Sequence, residues 1–146
     1  MKLSIGVWAW FLVCLIQPFP AWSEVKVPSY SLKLTRDLID REAAKEFDCR
    51  ERVYLLTTWF KVYGKHKVTA LWFNPEGQPQ DEGHLEFVGK REETDGWLAL
   101  EFLNVEDRDA SAPLSAEVAK FYGKWKVKVF LDNQFLEERE FFVRCG

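Results

Sequence analysis

Between residues 123 and 143 apolar and charged side chains alternate with a period of two. Trp125, Val127, Val129 and Leu131 fall on one side, and Lys124, Lys126 and Lys128 on the other. That spacing predicts a half-buried β-strand. Asp132-Asn133 supplies a turn, and a return strand can bring Glu137, Glu138, Arg139 and Glu140 across from the lysines. Leu136 and Phe141 lie five positions apart, so an unbroken return strand would send them to opposite faces. Either a β-bulge resets the parity or both faces meet apolar neighbours, and the bulge is the expectation adopted.

The same reading extends upstream. Tyr30, Leu32 and Leu34 alternate and predict a first strand, whereas residues 41–49 are more polar and fit a helical turn or a loop ending at Cys49. Residues 50–64 are rich in Val, Tyr, Thr, Trp and Phe, the residue types favoured in strands. A tight link at Gly64-Lys65 leads into a strand that Asn74-Pro75 and Glu76-Gly77 terminate. A polar loop of about ten residues, 74–83, is expected next. Strands over 84–90 and 95–105 follow. One helix is expected just before the last hairpin. Pro113 suits its first turn, Leu114, Val118 and Phe121 share one face, and Gly123 suits its C-terminal position.

The N-terminus changes what should be folded. Lys2 is the only charge before Glu24, and an apolar run over residues 5–16 ends at Pro18, Pro20 and Ala21-Trp22-Ser23. This is the pattern of a secretory signal peptide, with cleavage expected after Ala21 or Ser23. A membrane-crossing helix needs roughly 20 apolar residues, so no span is expected after cleavage. Residues 1–23 are therefore read as leader and residues 24–146 as one domain. Export to the periplasm is the expected address, with the medium or a lipid anchor at Cys14 as lesser alternatives. Val13 stands where a lipoprotein signal wants a small residue.

Without Lys2, 19 basic residues face 23 acidic ones. A mildly acidic domain lacking a basic block argues against nucleic acid as a partner. Two cysteines remain, Cys49 and Cys145, and in an oxidising compartment such a pair is more often a disulfide than a metal site. A bridge closing so long a loop would contribute roughly 4–5 kcal/mol, less any native strain.

Six to seven strands and one short helix before the last hairpin describe an all-β, antiparallel sandwich of two sheets. The run Gly123-Lys-Trp125-Lys-Val127-Lys-Val129-Phe-Leu131-Asp132, followed by Phe141-Phe-Val143, resembles the last two strands of bacterial exported immunoglobulin-like domains. The resemblance covers about 20 residues and implies an immunoglobulin-like fold with no catalytic residues. It departs from the family's inter-sheet disulfide, because Cys49 precedes the candidate second strand and Cys145 follows the last.

Equipment for catalysis is sparse. The domain has two histidines, His66 and His84, and no nucleophile elbow, metalloprotease helix or phosphate loop. Glu106, Asp107 and Asp109 lack the glycine and the terminal carboxylate that a calcium loop needs. No cofactor or metal is expected, and no enzyme.

The aromatic clusters remain. Trp59-Phe60 with Tyr63, and Trp72-Phe73, put neighbouring rings on opposite sides of a strand. Either both faces of these strands are covered, by the helix or the N-terminal arm, or one sheet shows an aromatic patch to solvent. Exposed patches of that kind mark interaction sites. The expected function is a non-catalytic exported binding or assembly module. It would dock a protein partner in the cell envelope through an aromatic sheet face or a strand edge, with Trp59, Phe60, Tyr63, Trp72 and Phe73 as candidates. The alternative is a small-molecule or carbohydrate-binding domain that stacks ligands on tryptophan.

Overall fold

The computed structural model describes residues 28–102 and 120–145. Eight strands form two sheets: β1 (Ser29–Thr35), β2 (Glu46–Asp48), β3 (Arg52–Phe60), β4 (Gly64–Phe73), β5 (Pro79–Gly89), β6 (Glu93–Glu101), β7 (Gly123–Leu131) and β8 (Gln134–Arg144). One sheet has the order β1-β3-β6 and the other β2-β8-β7-β4-β5. Every pairing is antiparallel except β2 with β8.

This is an immunoglobulin-like β-sandwich. The chain's first extended stretch is shared between the sheets: β1 pairs with β3, and after a ten-residue link β2 pairs in parallel with the last strand. β3 and β6 lie in one sheet, while β4, β7 and β8 lie in the other, as strands B and E and strands C, F and G of that fold do. A buried tryptophan on the third immunoglobulin strand is a mark of the fold, and Trp72 on β4 fills that role. It meets Phe141 edge-on at 6.0 Å rather than a disulfide.

Between the sheets, Leu55, Trp59, Val68, Trp72, Leu100, Trp125, Val127 and Val143 are among the fully buried side chains. Each strand contributes alternate residues, as on β3, where Val53, Leu55, Thr57 and Trp59 point inward. The one buried polar group among these four is satisfied. Thr57 Oγ1 donates to the Gly96 carbonyl at 3.3 Å and accepts from Trp59 Nε1 at 3.0 Å.

The final hairpin follows its sequence closely. Asp132 and Asn133 both adopt positive φ, 49° and 68°, which closes a two-residue turn whose twist matches the strands. The register shifts between Val129 and Phe130, so that Val129 faces Glu137 and Phe130 faces Phe135, with Leu136 as the extra residue. That bulge restores Phe141 to the core opposite Trp125. The lysines do meet the glutamates, with Lys124–Glu140 at 2.6 Å and Lys126–Glu138 at 3.2 Å. These exposed pairs contribute little to stability, about 0–1 kcal/mol each.

Three expectations need correction. The segment 41–49 holds a strand, β2, rather than only a loop, because Phe47 is drawn into the core against Phe141 at 5.6 Å. This makes eight strands among the described residues, where six or seven were expected. The loop 74–83 is much shorter than expected. Asn74 Oδ1 accepts from the Glu76 and Gln78 N–H groups, Gly77 takes φ 80°, and β5 begins at Pro79. β5 is an edge strand, where proline and charged residues are tolerated. The short helix is not borne out. Residues 113–119 lie outside the described residues, and the described end, Lys120-Phe121, has 3₁₀ rather than α-helical form. The expected signal peptide, Cys14, and the segment with Glu106, Asp107 and Asp109 also lie outside the described residues. Among those described, no helix is long and apolar enough to cross a membrane.

Candidate functional site

The sandwich separates the five aromatic candidates. Trp59 and Trp72 are 1% and 0% exposed and belong to the core. Phe60, at 37%, sits on the outer face of the three-stranded sheet, and Tyr63, at 56%, lies in the link between β3 and β4. Phe73 faces outward from the other sheet, where the Lys128 ammonium covers its ring at 5.1 Å. These residues form no single patch, because β3 and β4 belong to different sheets and their outer faces point away from each other.

A groove lies elsewhere on the molecule. On the outer face of the three-stranded sheet, Leu56 of β3 pairs with Trp97 of β6 and with Lys33 of β1. Trp97 is half exposed, at 50%, and Tyr54 meets its ring edge-on at 5.7 Å. Leu56, Trp97 and Phe60 floor this groove of about 500 Å³. The link between β1 and β2 walls it. Asp37 Oδ1 accepts from the Ile39 and Asp40 N–H groups at 2.8 Å each, and Arg41 takes a positive φ of 53°. This tight bend brings Leu38 and Arg41 to the groove. Arg41 Nη1 reaches Asp95 Oδ2 at 3.2 Å, and Asp95 Oδ1 accepts from Thr58 Oγ1 at 2.8 Å. The rim therefore holds two cations, Lys33 and Arg41, and two carboxylates, Glu93 and Asp95. No histidine or cysteine lines it. The arrangement suits burial of aromatic anchors against a charge-balanced ligand.

Trp97 is the residue that the aromatic clusters did not single out. A signal for it exists in the chain: Leu98, Leu100 and Phe102 form a period-two apolar set, which assigns Trp97 to the other side.

The histidines do not converge. His84 lies on the outer face of the five-stranded sheet, with Nε2 3.1 Å from Glu82 and Nδ1 3.2 Å from Thr69 Oγ1. His66 instead clasps the tip of the final hairpin. Its Nδ1 lies 2.7 Å from Asp132 Oδ2 and its Nε2 2.9 Å from the Tyr63 carbonyl. Both partners only accept, so both ring nitrogens donate and the imidazolium is favoured. The Asp132 hydrogen bond accordingly raises the His66 pKa against the opposing effect of burial. Burial pushes the Asp132 carboxyl up, but hydrogen bonds from His66 and the Lys67 N–H outweigh it and hold the carboxyl below its ordinary range. Among the described residues no group of His, Cys, Asp and Glu could hold a metal ion.

This clasp predicts a pH dependence. His66 contributes fully below the unfolded histidine value of about 6.5, and its contribution is lost as pH rises through the raised folded value. Asp132 contributes above the unfolded carboxylate value of about 4, and its contribution is lost as pH falls through the lowered folded value. Thermal unfolding should show the widest gap between wild type and His66→Gln near about pH 5–6, closing by about pH 9. A gap that stays constant over that range would mean the imidazole is neutral throughout.

The chain is thus an immunoglobulin-like domain with a groove on the outer face of its smaller sheet. No family model matches the chain, and no curated protein matches it. Among solved structures, it is similar to an immunoglobulin-like protein from Pseudomonas aeruginosa, with 18% identity and a TM-score of 0.44 over 81% of this chain and 94% of that one. It is also similar to parts of two larger enzymes. An alkylpurine DNA glycosylase from Pseudomonas fluorescens gives 13% identity and a TM-score of 0.48, covering 78% of this chain and 29% of that one. A β-glucosidase from Listeria innocua gives 14% identity and a TM-score of 0.47, covering 82% of this chain and 16% of that one. The chain thus spans less than a third of either enzyme. At these identities no activity carries across.

Proposed function

We propose that this chain is a non-catalytic exported binding module that docks a protein partner of the cell envelope on the outer face of its three-stranded sheet. The observation that carries the reading is Trp97. It is a large ring left half exposed in a groove that Leu38, Arg41, Leu56 and Phe60 also line, with Tyr54 edge-on behind it. Trp, Tyr and Arg are the residue types that dominate binding energy at protein interfaces, surrounded by a polar rim that excludes water. Exposing such a ring in an isolated domain gains nothing in stability, so a partner is the natural source of its burial. Asp95 is already engaged by Thr58 and Arg41, which leaves it poorly placed to bond the hydroxyls of a stacked sugar.

The carbohydrate alternative draws its support from the same exposed indole, and one variant separates the two. Trp97→Ala should leave the melting temperature within a few degrees of wild type and weaken capture of an envelope protein at least about 30-fold, the equivalent of a 2 kcal/mol anchor. Quantitative pull-down from detergent-solubilised envelopes, followed by titration of the captured protein, reads this directly. Equal capture by both forms removes the groove from the interface. Quenching of Trp97 fluorescence by oligosaccharides, with no protein captured, would replace the protein reading with the sugar one.

A further inference from the structure

Cys49 directly follows β2, and Cys145 directly follows β8. The parallel register Glu46↔Phe142, Phe47↔Val143, Asp48↔Arg144 continues by one step to place Cys49 beside Cys145. The Cys49 N–H donates to the Arg144 carbonyl at 2.8 Å, which holds the two chain ends together at that step. Each thiol bears on the other's titration, as close neighbours do. Cys49 is buried and Cys145 half-buried. Two cysteines 96 positions apart in the chain thus meet as neighbours.

We infer that Cys49 and Cys145 are the site of an intramolecular disulfide that staples the entry of β3 to the end of the last strand. The site differs from the inter-sheet bridge of immunoglobulin domains. The corresponding inward positions of β3 and β7 hold Val53, Leu55 and Thr57, and Trp125, Val127 and Val129. The staple instead secures β2, a strand of three residues that three register pairs hold to β8. The inference stands whether or not the groove binds a partner.

The chemistry balances as thiol–disulfide exchange with an external disulfide, of a small molecule or of an oxidising protein. Cys145, the more accessible thiol, loses its proton and attacks one external sulfur, releasing the first external thiolate. Cys49 then loses its proton and attacks the Cys145 sulfur of the mixed disulfide, releasing the second. The two cysteines lose two electrons and two protons, and the external disulfide is reduced to two thiols. Burial pushes the Cys145 thiol up to about 12 and the Cys49 thiol up from its ordinary value. Thiolate is therefore scarce in the folded domain, and the bond should form before β8 docks and resist exchange afterwards.

The test uses protein exported by a bacterial host and purified without reductant. It is denatured in guanidinium with iodoacetamide present, then digested and analysed by mass spectrometry. The expected result is one linked peptide pair carrying Cys49 and Cys145, lighter by two hydrogens than the free peptides and split by reductant. Alkylation of both cysteines overturns the inference. A second measurement follows the stapling role. Reduction of the wild type, or the Cys49→Ser and Cys145→Ser double change, should lower the melting temperature by about 10 °C or more. A bond that forms but leaves the melting temperature unchanged on reduction overturns the staple. Refolding of reduced protein in oxidised glutathione adds a third arm: an intramolecular bond is expected, and glutathione adducts on both cysteines overturn it.

Discussion

Replacing Trp125 by alanine is expected to destabilise the domain by about 3–5 kcal/mol and to lower its melting temperature by roughly 10–20 °C. Trp125 sits at the centre of an aromatic cluster, fully buried, with Phe102 edge-on at 5.0 Å, Phe141 stacked at 6.3 Å and Phe121 tilted at 6.3 Å. Truncation leaves a cavity between rings that cannot collapse onto it, because β7 and β8 are fixed by their ladder. The change also removes a hydrogen bond, from Trp125 Nε1 to the Phe121 carbonyl at 2.7 Å. Trp72 supplies an internal comparison. It is equally buried, but its Nε1 has no hydrogen-bond partner among the described residues. Conversion to phenylalanine therefore removes a satisfied donor at position 125 and an unsatisfied one at position 72. Since an unpaired buried donor is itself costly, Trp72→Phe should be the milder change by about 1 kcal/mol or more. Urea unfolding of the variants decides the matter. A Trp125→Ala domain as stable as wild type would mean the two sheets do not close over that ring.

How much of this was legible in the sequence depended on whether a strand carried one apolar face or two. β7 alternates lysine with apolar residues, so its buried face, its partner charges and even the bulge at Leu136 could be read directly. β3 offers no such choice. Val53, Leu55, Thr57 and Trp59 form one apolar set, and Tyr54, Leu56, Thr58 and Phe60 form another of similar hydrophobicity. Which set turns inward is decided by the neighbours β1 and β6 and by the facing sheet, and none of these is encoded locally. Trp59 and Trp72 were consequently placed among candidates for an exposed patch, although both are core. β2 was hidden for a different reason. Three residues make too short a period to recognise, and the strand exists because Phe47 can pack on Phe141 once β8 is in place. The groove was the least legible feature. It depends on Arg41 reaching Asp95 across 54 positions and on Leu38 folding back from the same link. No spacing rule brings those residues together.

Alanine at Gly89 is expected to be more damaging than alanine at Gly83, although both changes add one methyl group to the same strand. Gly89 closes β5 opposite Gly64, and a Cβ there would lie 1.7 Å from the Val62 carbonyl oxygen and 2.8 Å from its carbon. Backbone cannot rotate aside as a side chain can, so the segment between β3 and β4 must move. That segment is held on several sides. The Lys61 N–H donates to the Glu92 carbonyl at 2.7 Å, Tyr63 Oη donates to Glu92 Oε1 at 2.9 Å, and His66 binds the Tyr63 carbonyl. Val62 itself is buried. Relieving the clash therefore breaks hydrogen bonds and lifts Val62 from the core, which places the cost at about 3 kcal/mol or above, at or beyond the usual range for overpacking. At Gly83 the added Cβ would meet the end of the Leu98 side chain at 3.3 Å, a contact that a small rotation relieves. Alanine also restricts the unfolded chain, which returns roughly 0.4–1 kcal/mol, so Gly83→Ala should fall within about 1 kcal/mol of wild type. Chemical denaturation of the two variants side by side separates close backbone approach from a general intolerance of β5 to substitution. Equal stabilities would show that β5 and the β3–β4 link do not touch, and with that the closure of the sandwich at this end would be wrong.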